Sequence, residues 1–132
     1  AALYSCDVCK ANFYGKNEFN IQKALPYADL FIHHGGIGST YQGLKFGIPM
    51  LVLPSHFEQQ INGSQLEKIG AGLSFYPFDI NPKNVRRKIE TILSEPSFKK
   101  NAFAFSLNME KKDARELAVQ YIREGYRDFK LK

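Results

Sequence analysis

Short apolar runs alternate along the chain with amphipathic stretches, the pattern of parallel strands joined by crossover helices. The runs at residues 3–5, 18–21, 30–33, 50–53 and 73–75 read as strands. Between them, residues 39–46 read as a short helix ended by Gly47 and Pro49, and residues 58–69 as a longer one closed by Gly70. Both glycines stand where a left-handed helix cap is expected. Asn81 and Pro82 form an N-cap and first-turn pair, and Val85, Ile89, Ile92 and Leu93 fall on one face of the helix they open, which Pro96 ends. Residues 109–126 are again helical, with a stripe of Ala114, Leu117, Ala118, Tyr121 and Ile122 that calls for a packing partner. The expected fold class is α/β, a Rossmann-like parallel sheet with helices on both faces.

Composition adds limits. A chain of 132 residues, 44% of them apolar, fits one domain spanning residues 1–132. The 18 basic side chains outnumber the 13 acidic ones, and the surplus gathers from Lys83 onward, where it reads as a solvated helix face before an anion-attracting one. No basic run is interleaved with aromatics, so no nucleic-acid partner is expected. Cys6 and Cys9 form a lone CxxC without the two further ligands a zinc site needs, and no metal is expected. Two thiols outside a disulfide framework suit a reducing compartment, so the expected location is cytoplasmic. The longest apolar stretch, residues 48–53, is far shorter than the roughly 20 residues that span a bilayer, which leaves peripheral membrane association as the only membrane role expected. Because the chain opens on Ala1 rather than methionine, and at once enters a candidate strand at residues 2–5, a fragment or a separately made half is expected.

The chemistry concentrates in residues 28–54, ADLFIHHGGIGSTYQGLKFGIPMLVLP. A buried strand delivers the backbone into a turn holding Gly35, Gly36 and Gly38, and the next helix begins there with free N–H groups and the positive end of its dipole. That order is a phosphate site. His34, Ser39 and Thr40 add side-chain donors to it, whereas His33, one residue earlier, reads as a core histidine.

The block HHGGIGSTYQGLKFGIPMLVLPSHFEQQINGSQLEKIGAGLSF, ending at Phe75, resembles the signature of the UDP-glycosyltransferases, in the C-terminal, donor-binding half of the two-domain GT-B fold. It carries a His-x-Gly-x-x-Ser start at His34, a Gly-x-Pro strand entry at Gly47, an acidic-Gln pair at Glu58 and Gln59, the following Asn62, and a closing Gly-x-Gly at Gly70. A weaker match reaches back to Glu18 and forward to Arg127. The resemblance implies an inverting, metal-independent transfer of a hexosyl group from a UDP-sugar to an acceptor hydroxyl, with no cofactor. It also implies that His34, Gly36, Gly38, Ser39 and Thr40 hold the donor diphosphate, Glu58 and Gln59 the sugar, Gln42 the ribose, and Phe19 and Ile21 the nucleobase.

Two departures stand out. Gln42 replaces a glutamate that many relatives use on the ribose, and Ile37 replaces a tryptophan of plant relatives. No catalytic residue is expected in this chain, because the family's histidine base belongs to an acceptor-binding N-terminal half. That half, together with the first strand and helix of the donor half, is expected to be missing here. The partners implied are a UDP-sugar and an acceptor-binding domain or subunit. The competing readings are a non-catalytic nucleotide-sugar-binding module and a flavodoxin-like interaction domain without a small ligand.

Overall fold

A computed structural model describes residues 20–110 and 114–130. The candidate strand at 3–5, Cys6, Cys9 and Phe19 lie outside the described residues. The elements are α1 (Ile21–Ala24), a 3-10 turn (Leu25–Tyr27), β1 (Phe31–His33), α2 (Ile37–Lys45), β2 (Met50–Val52), α3 (Phe57–Lys68), β3 (Gly72–Ser74), a second 3-10 turn (Pro77–Asp79), α4 (Pro82–Ser94), α5 (Pro96–Glu110) and α6 (Ala114–Lys130). The three strands form one parallel sheet in the order β1-β2-β3, with Ile32 opposite Leu51 and Leu51 opposite Leu73.

Strand β2 is the centre of the molecule, and its three residues are fully buried because both faces are covered. Met50 and Val52 face one way, into a cluster with Leu66, Ala71 and Ala102 that Phe31 and Leu44 border. Leu51 faces the other way, into a cluster with Phe75 and Ile92 bordered by Val85, Ile89 and Phe98. Helices α2 and α3 therefore cover the first face and α4 the second, as expected for a doubly wound sheet.

Small residues set how closely the helices sit. A Cβ on Gly43 of α2 would run into the Met50 sulfur, and one on Gly63 of α3 into the Ser74 hydroxyl. Gly47 and Gly70 take φ of 64° and 67°, the left-handed caps that end α2 and α3. Asn101 of α5 donates to the Gly70 carbonyl at 3.2 Å, while Phe103 and Ser106 of α5 crowd Gly47. Helix α5 thus braces the amino-terminal edge of the sheet and leaves the opposite edge to the loops.

Four expectations change. Of the strand at 18–21, the described part is instead a helix start: Asn20 is an N-cap whose side chain accepts from the Lys23 N–H at 3.2 Å, and Ile21 opens α1. Pro96 ends α4 but immediately begins α5, since proline suits the first turn of a helix. Leu93 faces solvent, outside the Val85, Ile89 and Ile92 stripe. Ala118, Tyr121 and Ile122 of α6 are exposed, so this part of its stripe finds no cover among the described residues, while Leu117 is half-buried.

The outer edge of β3 is closed by side chains. Glu67 of α3 accepts from the Ser74 N–H at 2.6 Å, and the Lys88 ammonium of α4 donates to the Ser74 carbonyl while lying 4.4 Å from the centre of the Phe75 ring. Both outward-facing groups of an edge residue are thereby satisfied without another strand.

A Cβ on Gly72 would collide with the Met50 carbonyl, a backbone atom that cannot yield. Gly72→Ala is expected to lower stability by at least about 3 kcal/mol. Gly125→Ala, in α6 where an added Cβ meets nothing, should raise stability by about 0.5–1 kcal/mol. Thermal and urea unfolding of the two variants check the pair; similar midpoints would contradict the packing described.

Candidate functional site

Strand β1 ends at His33 and the chain turns at once through His34, Gly35 and Gly36 into α2. Gly35 sits at φ 95°, and a Cβ there would lie 2.7 Å from Val52 Cγ1 and 2.8 Å from the Gln59 carbonyl oxygen. Only glycine fits, both in conformation and in space.

Its peptide groups are held from two directions. The Gly35 N–H donates to His33 Nδ1 at 3.0 Å, and Asn62 Nδ2 of α3 donates to the Gly35 carbonyl at 2.8 Å. His33, stacked on Phe31 with ring centres 4.7 Å apart, therefore carries its proton on Nε2, which is buried without a partner. Burial, and then the neighbouring His34, lower its pKa from 6.5 to about 4. His33 is indeed a core residue, but a core residue that shapes the turn. Neither it nor Asn62 carries a role in the sequence reading, because their partners are backbone groups fixed only by the folded turn.

Gly36 is the N-cap of α2 and no side chain caps the helix. The first bond of the helix runs from the Thr40 N–H to the Gly36 carbonyl, so the N–H groups of Ile37, Gly38 and Ser39 stand ahead of it without intrahelical acceptors. His34 is exposed, and its Nε2 would lie 2.7 Å from a Cβ on Gly36, so the imidazole folds back over the helix start. Gly38 is different: a Cβ there would meet nothing within 4 Å. The Ser39 hydroxyl makes no hydrogen bond among the described residues, whereas Thr40 is buried and its hydroxyl donates to the Gly36 carbonyl at 3.1 Å. Of the five diphosphate candidates, four thus line the open helix start and Thr40 is turned into its own helix.

The other candidates divide similarly. Gln42 is half-buried on α2 with a buried, unpartnered Oε1. Glu58 is exposed in the first turn of α3, which abuts the glycine turn through the Gln59 backbone. Gln59 is buried, and its Oε1 accepts from both the Ser55 N–H at 2.8 Å and the Ser55 hydroxyl at 3.0 Å, holding the loop between β2 and α3. Ile21 is half-buried at the start of α1. A cleft of about 460 Å³ lies elsewhere, at the end of β3, where Tyr76, Asp79, Asn84 and Arg87 line it. Among the described residues no helix is long and apolar enough to cross a membrane, and no group of three or more His, Cys, Asp or Glu could hold a metal ion.

The bond from Gly35 to His33 needs a neutral imidazole. Between pH 6.5 and about 4 the unfolded chain takes up a proton that the folded chain refuses, so stability is full above pH 6.5 and falls as the pH drops, by about 3 kcal/mol at pH 4. In His33→Asn an amide oxygen can accept the same N–H without titrating. The wild-type advantage over this variant in urea unfolding should shrink steadily from pH 7 to pH 4, and a constant difference would contradict the bond.

Known proteins share this architecture. The family described as the erythromycin biosynthesis protein CIII-like, C-terminal domain matches residues 17–121. The chain is similar to the NDP-glycosyltransferase YjiC of Bacillus subtilis (strain 168), 27% identical over 85 residues, covering 64% of this chain and 22% of that protein. It is 31% identical over 88 residues to the TDP-daunosamine transferase DnrS of Streptomyces peucetius, covering 65% and 20%. Among solved structures, the spinosyn forosaminyltransferase SpnP matches with a TM-score of 0.70 at 23% identity, over 87% of this chain and 33% of that one. The spinosyn rhamnosyltransferase SpnG complexed with thymidine diphosphate matches with a TM-score of 0.69 at 25% identity, over 77% and 28%. The chain spans about a fifth of the length of the curated relatives it matches, 22% and 20% of these two. It belongs to the erythromycin biosynthesis protein CIII-like C-terminal domain family, within the UDP-glycosyltransferases of the GT-B fold.

Proposed function

We propose that this chain is the donor-binding half of an inverting, metal-independent glycosyltransferase that moves a hexosyl group from a nucleoside-diphosphate sugar, UDP in the first instance, to an acceptor hydroxyl. One observation carries the reading: α2 begins uncapped at the carboxyl edge of the parallel sheet, with open space at Gly38 where packing does not require glycine. Ligands of such sheets bind at that edge, and an anion there meets converging N–H groups and the helix dipole.

In this proposal the diphosphate lies against the N–H groups of Ile37, Gly38 and Ser39. His34 Nε2 and Ser39 Oγ add donors, and the bare Gly36 leaves room for the imidazole. Thr40 supports the Gly36 peptide and contributes no donor of its own. Gln42 offers its unpartnered Oε1 to a ribose hydroxyl, which suits a neutral amide as it would suit the family's glutamate. Glu58 accepts from the sugar hydroxyls, and Gln59, its oxygen occupied by Ser55, presents its amide hydrogens. Phe19 and Ile21 border the nucleobase.

The reaction then divides between two halves. A base on an acceptor-binding domain, outside this chain, removes the acceptor proton; the oxygen attacks the anomeric carbon and the bond from that carbon to the diphosphate oxygen breaks. The developing charge on the departing nucleotide falls on donors already aimed at it, which need no reorganisation as the bond breaks. The length of the relatives and the presence of both UDP- and TDP-sugar enzymes among them support a partner half and a uridine or thymidine donor.

Titration calorimetry of the folded chain with UDP and dTDP tests the site. His34→Ala should weaken binding about tenfold, the loss of one hydrogen bond to a charged group. Gly38→Ala should weaken it by as much or more while leaving the unfolding midpoint unchanged or raised, because the added methyl fills only the ligand's space. A wild-type chain that binds neither nucleotide at millimolar concentration, or a Gly38→Ala variant that binds normally, would overturn the proposal.

A further inference from the structure

We infer that the turn between β3 and α4 is a docking point for an anionic lipid surface. At its tip, Phe78 is 99% exposed in the 3-10 turn Pro77–Asp79, with Tyr76 at 64% and Ile80 at 37% on either side. One exposed aromatic is ordinary, but three large apolar side chains within five residues, on a turn begun by proline, make a projecting apolar knob.

Cations stand directly behind it. Val85, Ile89 and Ile92 turn α4 toward the sheet, which leaves Lys83, Arg86 and Arg87 together on its outer side at i, i+3 and i+4 spacing. All three are exposed and none of their side chains makes a hydrogen bond or ion pair among the described residues, although Arg87 lines the cleft that also holds Asp79 and Glu67. Lys88 is not part of this group, being committed to the Ser74 carbonyl and the Phe75 ring. Asp79 in the knob and Glu90, one turn farther along the basic stripe, are the carboxylates that oppose it.

The arrangement fits a bilayer by layers. An aromatic tip enters the interface, a tyrosine suits the headgroup level, and the basic side chains behind meet the lipid phosphates. An acidic protein would engage the cations without using Phe78. A single strand of nucleic acid would want its aromatics set within a cationic track, whereas here all the apolar groups precede all the cations along the chain. This role uses none of the residues proposed for the nucleotide sugar, which gather mainly at the turn after β1 and the starts of α2 and α3.

Co-sedimentation of the full 132-residue chain with phosphatidylcholine vesicles, with and without phosphatidylserine, tests the inference. Binding should require phosphatidylserine and weaken as salt rises. At about fivefold per basic residue, Lys83→Gln, Arg86→Gln and Arg87→Gln together should lower the partition coefficient about a hundredfold. Phe78→Ser should lower it about tenfold, with circular dichroism unchanged since all four side chains are exposed. Lys99→Gln with Lys100→Gln, on α5, should leave it within about twofold. A chain that ignores vesicles, binds equally without phosphatidylserine, loses as much through Lys99 and Lys100, or prefers oligo(dT) overturns the assignment.

Discussion

The double hold on one peptide unit organises this domain. Gly35 gives its N–H to the ring of His33 and its carbonyl to the amide of Asn62, and so joins the end of β1 to the middle of α3 at a φ only glycine accepts readily. Its own N–H is thereby withdrawn from any ligand, and the next peptides, at the start of α2, are the ones left facing outward. The direction of α2, and with it the position of every donor at its first turn, follows from this hinge. A buried imidazole is an apt acceptor for the purpose: neutral at physiological pH, rigid, and stacked on Phe31 so that its Nδ1 stays in place.

Close packing carries that geometry through the sheet. Gly43 lets α2 settle on Met50, Gly63 lets α3 settle on Ser74, and Gly47 and Gly70 bring both helix ends against α5. Two helices that lie this close to one sheet cannot slide independently, so the starts of α2 and α3 are fixed relative to each other. The first turn of α3 is in turn locked by Gln59, which spends its oxygen on Ser55. Glu58, one residue earlier and exposed, is left to the solvent side. Adjacent residues of one signature pair thus differ: the oxygen of Gln59 is spent on the loop, whereas Glu58 is accessible.

What the sequence discloses depends on how local the physics is. Strands β1, β2 and β3 are legible as short apolar runs, continuous in β2 because both its faces are covered, and the caps Gly47, Gly70 and Asn81 because each is set by a few neighbouring residues. Helix α5 is not legible. Its inward side runs through Phe98, Ala102, Phe105 and Ser106, but the exposed apolar residues Phe103 and Leu107 lie on other sides of the same helix, so apolar residues ring it and no single stripe stands out. The phosphate-site candidates at the start of α2 are legible in type and order, but the inward turn of Thr40 and the commitment of Gln59 are not. A hydroxyl or an amide reads the same whether it faces a ligand or its own backbone. Asn20 shows the same limit from the other side, where a cap outweighs the β-forming character of the residues around it.

The two edges of the sheet differ in how their outward peptide groups are satisfied. In a parallel ladder alternate residues direct their peptide groups to opposite sides. Phe31 and His33 bond to β2, so Ile32 of β1 faces outward, just as Ser74 does on β3. Ser74 is closed by Glu67 and Lys88, charged side chains of the kind that keep an edge from recruiting another strand. Among the described residues no side chain does this for Ile32, whose own side chain is 44% exposed. Among the described residues the edge with open peptide groups is therefore that of β1, next to the glycine turn. The edge left open among the described residues is also the edge beside the glycine turn, where the nucleotide site is proposed.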